Sequence, residues 1–97
     1  MVVGVAVIEL HLPHARSLKD KRRVIKSLIE RLHARHRISV AETGFQDLHQ
    51  RAEIGVAAVT RTAAEAEALL EQVRRAADDE SEAEILDWRP QILEEAG

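Results

Sequence analysis

Five cations in the first half of the chain are spaced for one kind of chemistry. Lys19, Arg22, Arg23, Lys26 and Arg37 fall on the same side of a helix when residues are placed at 100° steps, with only Glu30 interrupting the row. A guanidinium grips a phosphate through two parallel hydrogen bonds, and an ammonium adds a point charge. Such a row runs over about five turns, ~27 Å at 1.5 Å per residue, which suits successive phosphates better than one small ligand. A solvated face is also rich in charge, but it usually alternates signs to gain i, i+4 pairs. Here Lys19, Arg23 and Lys26 repel one another. Arg16 before the helix and Arg51 beyond it are the nearby cations that extend this candidate nucleic-acid site.

Other constellations are less complete. The start of the helix offers free N–H groups to an anion near His14 and Arg16. A small phosphatase built there needs an asparagine to orient water, and the chain contains none. His33 and His36 are three apart, as are His11 and His14, yet neither pair has a further ligand at metal spacing, so no metal and no other cofactor is expected. The segment Gly44 to Arg51 is the least routine loop. Gln46, Asp47 and His49 are its contact candidates, and Asp47 is expected to hydrogen-bond the loop backbone or pair with a cation. No serine or cysteine accompanies Asp47 and His49 to make a nucleophile. The chain has no cysteine at all, which excludes disulfides and thiolate metal sites.

The elements that must carry these residues follow from periodicity. Val2 to Leu12 is rich in β-branched residues and reads as a central strand that ends at Pro13. Ser17 to Arg37 reads as one amphipathic helix. Ser17 is its N-cap, and Leu18, Ile25, Leu28, Ile29 and Leu32 form its buried face. Ile38 to Thr43 and Arg51 to Thr60 read as a hairpin, with Gly55 marking close helix packing or an irregularity. Thr62 to Glu65 fits a capping box for a second helix, whose apolar face is Ala66, Leu69, Leu70, Val73 and Ala77. The acidic turn Asp78 to Glu82 ends it. Ala83 to Trp88 reads as the last strand, at an edge or stopping at Pro90, with 91–97 as an acidic tail. The order β-α-β-β-α-β is the ferredoxin-like arrangement, an α+β domain spanning 1–97. Its antiparallel four-stranded sheet carries both helices on one face, with the first and third strands central.

Composition bounds the function classes. Residues 1–51 hold ten Lys/Arg against five Asp/Glu, a balance of +5, while 52–97 hold four against twelve, a balance of −8. The formal net charge of −3 therefore conceals a molecule with a basic side. Arginine outnumbers lysine eleven to three and there is no asparagine, a composition that suits a thermophile. The apolar start lacks a basic leader and a cleavage site, and no stretch approaches the ~20 apolar residues of a spanning helix, so a cytoplasmic protein without a membrane partner is expected.

Three segments carry a family resemblance. SLKDKRRVIKSLIERL at Ser17 to Leu32, VAE at Val40 to Glu42 and QDLHQRAEIGVA at Gln46 to Ala57 resemble the YlxP-like family of small bacterial proteins, a domain of unknown function. The resemblance covers nearly the whole chain and implies a ferredoxin-like fold. The family gene often lies beside those for transcription elongation, translation initiation and ribosome maturation factors, which implies a ribosome- or RNA-associated role. No catalytic residues come with it. His49 stands where many members carry tryptophan, so any stacking by that residue must differ here.

The expectation is a non-enzymatic RNA- or ribosome-associated accessory factor. Arg16, Lys19, Arg22, Arg23, Lys26, Arg37 and Arg51 would contact phosphate without reading sequence. The alternative is an oligomeric structural or regulatory module that binds a protein or small effector through its sheet. Valines on both faces of the first strand lead to the further expectation of a homodimer through the sheet face that the helices leave open.

Overall fold

Alternation of side chains decides the register of the sheet, and helical spacing decides what covers it. A computed structural model describes residues 1–95. The elements are β1 (Val2–His11), α1 (Leu18–Arg35), β2 (Ser39–Gly44), β3 (Arg51–Thr60), α2 (Ala63–Asp78) and β4 (Glu84–Glu94). All four strands pair antiparallel in the order β2-β3-β1-β4. This is the β-α-β-β-α-β ferredoxin-like fold, with β1 and β3 central as the crossover rules require.

Both helices begin with a built cap. Ser17 is extended and its Oγ accepts from the Asp20 N–H at 3.1 Å, while the Asp20 carboxylate accepts from the Arg16 N–H at 2.9 Å. Thr62 Oγ1 likewise accepts from the Glu65 N–H at 3.1 Å. The Glu65 carboxylate reaches back one residue further than the capping-box reading supposed, to the Arg61 N–H. Each cap satisfies donors that the first turn leaves free.

The core lies between helices and sheet. β1 contributes Ala6, Ile8 and Leu10, β3 contributes Ala52, Ile54 and Val56, α1 contributes Val24, Ile25, Leu28 and Leu32, and α2 contributes Leu70, Val73 and Ala77. The close approach of helix to strand occurs at Gly4 rather than at Gly55. A Cβ on Gly4 would stand 3.3 Å from Ala66 Cβ of α2. Gly55 faces the uncovered side, where a Cβ would meet Thr43 Cγ2 at 2.9 Å.

β4 departs from the sequence reading in two ways. It continues through Pro90 to Glu94, so the expected tail from 91 forms strand as far as Glu94, with Ile92 packed against the core. β4 is the edge strand, where a residue without an N–H is tolerated because one side of the ladder is unpaired. Residues 96 and 97 lie outside the described residues. A register shift between Glu9 and Leu10 then places Ile85 and Trp88 on the same side, both against the core, and leaves Leu86 exposed. Strict alternation would put residues 85 and 88 on opposite faces, and the bulge adds the residue that reverses this.

The uncovered face of the sheet has two halves. Val3, Val5, Val7, Ala57 and Val59 occupy one end, and Glu9, His11, Arg51 and Glu53 the other. Several charges on this face pair internally, although Arg51 Nε is buried without a partner. Arg51 pairs with Glu9, His11 Nδ1 lies 2.8 Å from Glu84, and Arg89 lies 3.1 Å from Asp87.

Candidate nucleic-acid interface

The first half of α1 presents two opposite surfaces. Outward lie Lys19, Arg22, Arg23 and Lys26, all exposed. Inward, in the middle of the aliphatic arc, lies Lys21. Its side chain is the one buried charge among the described residues, only 1% exposed. Its Nζ donates to the Phe45 carbonyl at 2.6 Å and the Leu48 carbonyl at 2.7 Å, and lies 2.9 Å from the Glu42 carboxylate. Two of its three donors are spent on these carbonyls, while Glu42 Oε2 is close enough for an ion pair but is buried without a hydrogen bond of its own. Burial of a charge is tolerated only with such partners. Lys21 is the one cation of this half of the helix that lies outside the basic row. Its signal was present in the wheel: it sits about 200° from Lys19, between Leu28 and Leu32.

Lys21 shapes the loop it holds. Phe45 has a positive φ of 59°, a conformation costly for a residue with a Cβ. Its carbonyl accepts from the Leu48 N–H at 3.0 Å as well as from Lys21, closing a tight turn. Gln50 ties the far end of the loop to the segment before α1. Its carbonyl accepts from the Leu12 N–H at 2.9 Å and its side-chain amide donates to the Ala15 carbonyl at 3.3 Å. The loop therefore needs no help from Asp47, whose carboxylate makes no side-chain hydrogen bond or ion pair among the described residues. The expected backbone bond from Asp47 is absent because Lys21 and Gln50 do that work. Gln46, Asp47 and His49 are all exposed, beside the partly exposed Phe45 and Leu48.

The expected seven-cation site does not assemble whole. Arg16, Lys19, Arg22 and Lys26 are exposed and make no ion pair among the described residues. Arg23 reaches Glu82 at 3.4 Å, in the turn before β4, so part of its charge is already met. Arg37 lies beyond the helix, because α1 stops at Arg35 and His36 is extended at the C-cap. It borders a surface depression with Met1, Val59 and Leu69 instead of continuing the row. Arg51 lies on the uncovered face of the sheet, paired with Glu9 and stacked 5.0 Å from the centre of the Phe45 ring. Strand alternation puts it there: Arg51 pairs in register with His11, next to Glu9. The continuous cationic stripe is thus Arg16, Lys19, Arg22 and Lys26. From Lys19 to Lys26 it covers about 10 Å along the axis, less than half the span read from the sequence.

Glu71 on α2 is the clearest electrostatic perturbation elsewhere. A hydrogen bond from Arg74 is the main influence, and it holds the Glu71 carboxyl below the ordinary carboxylate range while raising the guanidinium. Both side chains are partly solvated and three apart on the same helix, so this is a helix-surface pair. Among the described residues no group of three His, Cys, Asp or Glu could hold a metal, and His11 is engaged with Glu84. Among the described residues no helix is long and apolar enough to cross a membrane.

These features define a small ferredoxin-like α+β protein with a cationic helix face and a lysine-anchored loop. The chain belongs to the family described as "protein of unknown function (DUF503)", whose model matches residues 3–90. It is 36% identical over 72 residues to the uncharacterized protein YlxP of Bacillus subtilis, covering 74% of this chain and 78% of that one. The YlxP-like resemblance carried by Ser17–Leu32 and Gln46–Ala57 is therefore correct.

Two solved structures overlap it at low identity. One is a de novo designed protein with ferredoxin fold, at 13% identity and a TM-score of 0.49, covering 100% of this chain and 88% of that one. The other is a C-terminal segment of the alpha subunit of aIF2 from Pyrococcus abyssi, at 15% identity and a TM-score of 0.46, covering 100% of this chain and 52% of that one. The fold assignment rests on strand order and register, not on these overlaps.

Proposed function

We propose that this protein is a non-enzymatic RNA- or ribosome-associated factor that grips phosphate backbone with the first half of α1. The observation that carries this reading is the unused charge of Arg16, Lys19, Arg22 and Lys26. Most arginines elsewhere, among them Arg31, Arg61, Arg74 and Arg89, face carboxylates within the chain. Among the described residues these four do not, although the chain as a whole is acidic. Cations without internal partners keep their hydrogen-bonding capacity for an external anion, and a row of them fits a polyanion. Phosphate contacts of this kind position a protein on RNA without reading its sequence. Lys21 supports the row indirectly, by fixing the start of α1 against the β2–β3 loop.

The test is a charge reversal confined to unpaired positions. Lys19, Arg22 and Lys26 are changed together to glutamate, leaving Arg23 to hold Glu82. Folding is checked by circular dichroism, and binding to total RNA and to purified ribosomal subunits is measured at low salt. The expected result is a folded variant that no longer binds. Unchanged affinity in that variant would remove the helix as the contact surface. Crosslinking in cells, followed by sequencing of bound RNA, then identifies the site.

A further inference from the structure

The uncovered face of the sheet has a second copy of this chain as its best-fitting occupant. We infer that the protein is a two-fold dimer whose axis runs along the strands between β1 and β3. Three observations lead there, and none depends on the cationic helix.

The first is shape. Val5 and Val7 of β1 stand beside a shallow hollow of about 350 Å³ floored by Gly55, Ala57 and Ala41. The hollow exists because β3 and β2 carry their smallest residues where β1 carries valines. A two-fold interface brings one patch against itself, so it must contain both the projection and the recess that receives it. A ridge and a hollow on neighbouring strands meet that condition. An axis between β1 and β3 lays the valines of each copy over Ala57 and Gly55 of the other.

The second is charge. β1 and β3 make the Val3–Val59 end of this face aliphatic, with Leu93, Gln91 and Arg89 of β4 alongside, and the Glu9–Arg51 end is polar. An axis across the strands would set aliphatic residues against ion pairs and leave charges desolvated without new partners. An axis along the strands sets apolar end on apolar end. The same axis sets polar end on polar end, with Glu9 opposite Glu53 of the other copy, so the close contact is confined to the aliphatic end.

The third is size and the state of the edges. Four strands about 4.8 Å apart and six to eleven residues long make a face of about 600 Å² in projection, and its aliphatic half alone is a small contact, below the ~800 Å² per partner of a standard interface. Edge-to-edge growth is blocked on one side by Pro90 and the bulge at Leu86 in β4, and is limited on the other by the six residues of β2. Val59, 68% exposed, is the largest single cost of leaving the face open. In this dimer both α1 helices lie on the outside, so their cations stay accessible.

Sedimentation of the intact chain at micromolar concentrations tests the inference. The expected particle has twice the 10.9 kDa of one chain. Val5→Glu, at the centre of the ridge, and Val59→Glu, at its exposed end, are each expected to give a folded monomer. Val59→Glu decides the matter if Val5→Glu fails to fold, because Val59 makes little of the core. Leu86→Arg, on the β4 edge, is expected to leave the dimer intact. A monomeric wild-type chain at these concentrations overturns the inference, as does a dimer that survives Val59→Glu or one that only Leu86→Arg dissociates.

Discussion

Lys21 and Lys19 are two residues apart on one helix and have opposite fates. Lys19 extends into solvent with no partner among the described residues. Lys21 is sealed under the β2–β3 loop with three oxygens around its ammonium. The side-chain chemistry is the same, and the difference lies in which side of α1 each occupies. One face of the helix spends its charge inside the molecule, on a loop that must hold Phe45 in a costly conformation. The other keeps its charge for something outside. A cation's role is therefore read from its unused donors, and a count of basic residues does not supply that.

The comparison breaks most visibly at Lys21. Replacing it with methionine keeps the volume but strands the Phe45 and Leu48 carbonyls and leaves Glu42 without its cation. A loss of about 3–5 kcal/mol is expected, since removing one partner of a buried pair leaves the other uncompensated. Chemical denaturation measures it. Adding Glu42→Gln to Lys21→Met is expected to recover part of that loss. If Lys21→Met is as stable as the wild type, the loop is not held from below and the contrast with Lys19 has no energetic content. Lys19→Met, the matched change on the outer face, is expected to alter stability by no more than about 0.5 kcal/mol.

How much of this could be read in advance differs by residue. The caps at Ser17 and Thr62, the aliphatic periodicities and the strand order followed from local pattern, because each depends on neighbours within four positions. Burial of Lys21 depends on carbonyls 24 and 27 residues away, and nothing local names them. Its place in the middle of the apolar arc is the one local sign of it. Pro90 allows either an edge strand or a stop, and the choice between them, here the edge, is a property of the whole sheet. The bulge beside Leu10 likewise arises from pairing between β1 and β4, and it moved Trp88 and Ile85 to one side. Arg51 was grouped with the loop by adjacency, whereas strand alternation ties it to Glu9. Asp47 looked like a loop staple by residue type, but Lys21 and Gln50 already hold that loop.

A smaller test sharpens the last point. Asp47→Ala is expected to leave thermal stability within about 0.5 kcal/mol of the wild type, because no hydrogen bond is lost. A drop well beyond that would mean that Asp47 carries a contact in solution that the fold described here lacks. Loss of RNA or ribosome binding without loss of stability would instead extend the contact surface from α1 onto this loop.

The smallest expected effect concerns Glu71 and Arg74, a pair with no proposed outside role. The Glu71 carboxyl is held below its ordinary range, mainly by the Arg74 hydrogen bond. A depressed folded-state value contributes stability above the unfolded carboxylate pKa, and that contribution disappears as pH falls through the folded value. Arg74→Ala is therefore expected to return the Glu71 titration, followed by NMR, towards that of a free carboxylate. The stability difference between variant and wild type should be present at neutral pH and vanish in acid. Because the pair is solvated, salt should weaken the effect.

The central claim is that the outer face of α1 binds a polyanion through about four phosphate contacts. The most direct measurement is the dissociation constant for single-stranded RNA as a function of salt. Counterion release from four contacts gives a log–log slope of affinity against salt of about −3, and Arg22→Ala should make that slope shallower by about 0.7. A slope near zero, or one unchanged by Arg22→Ala, would contradict it.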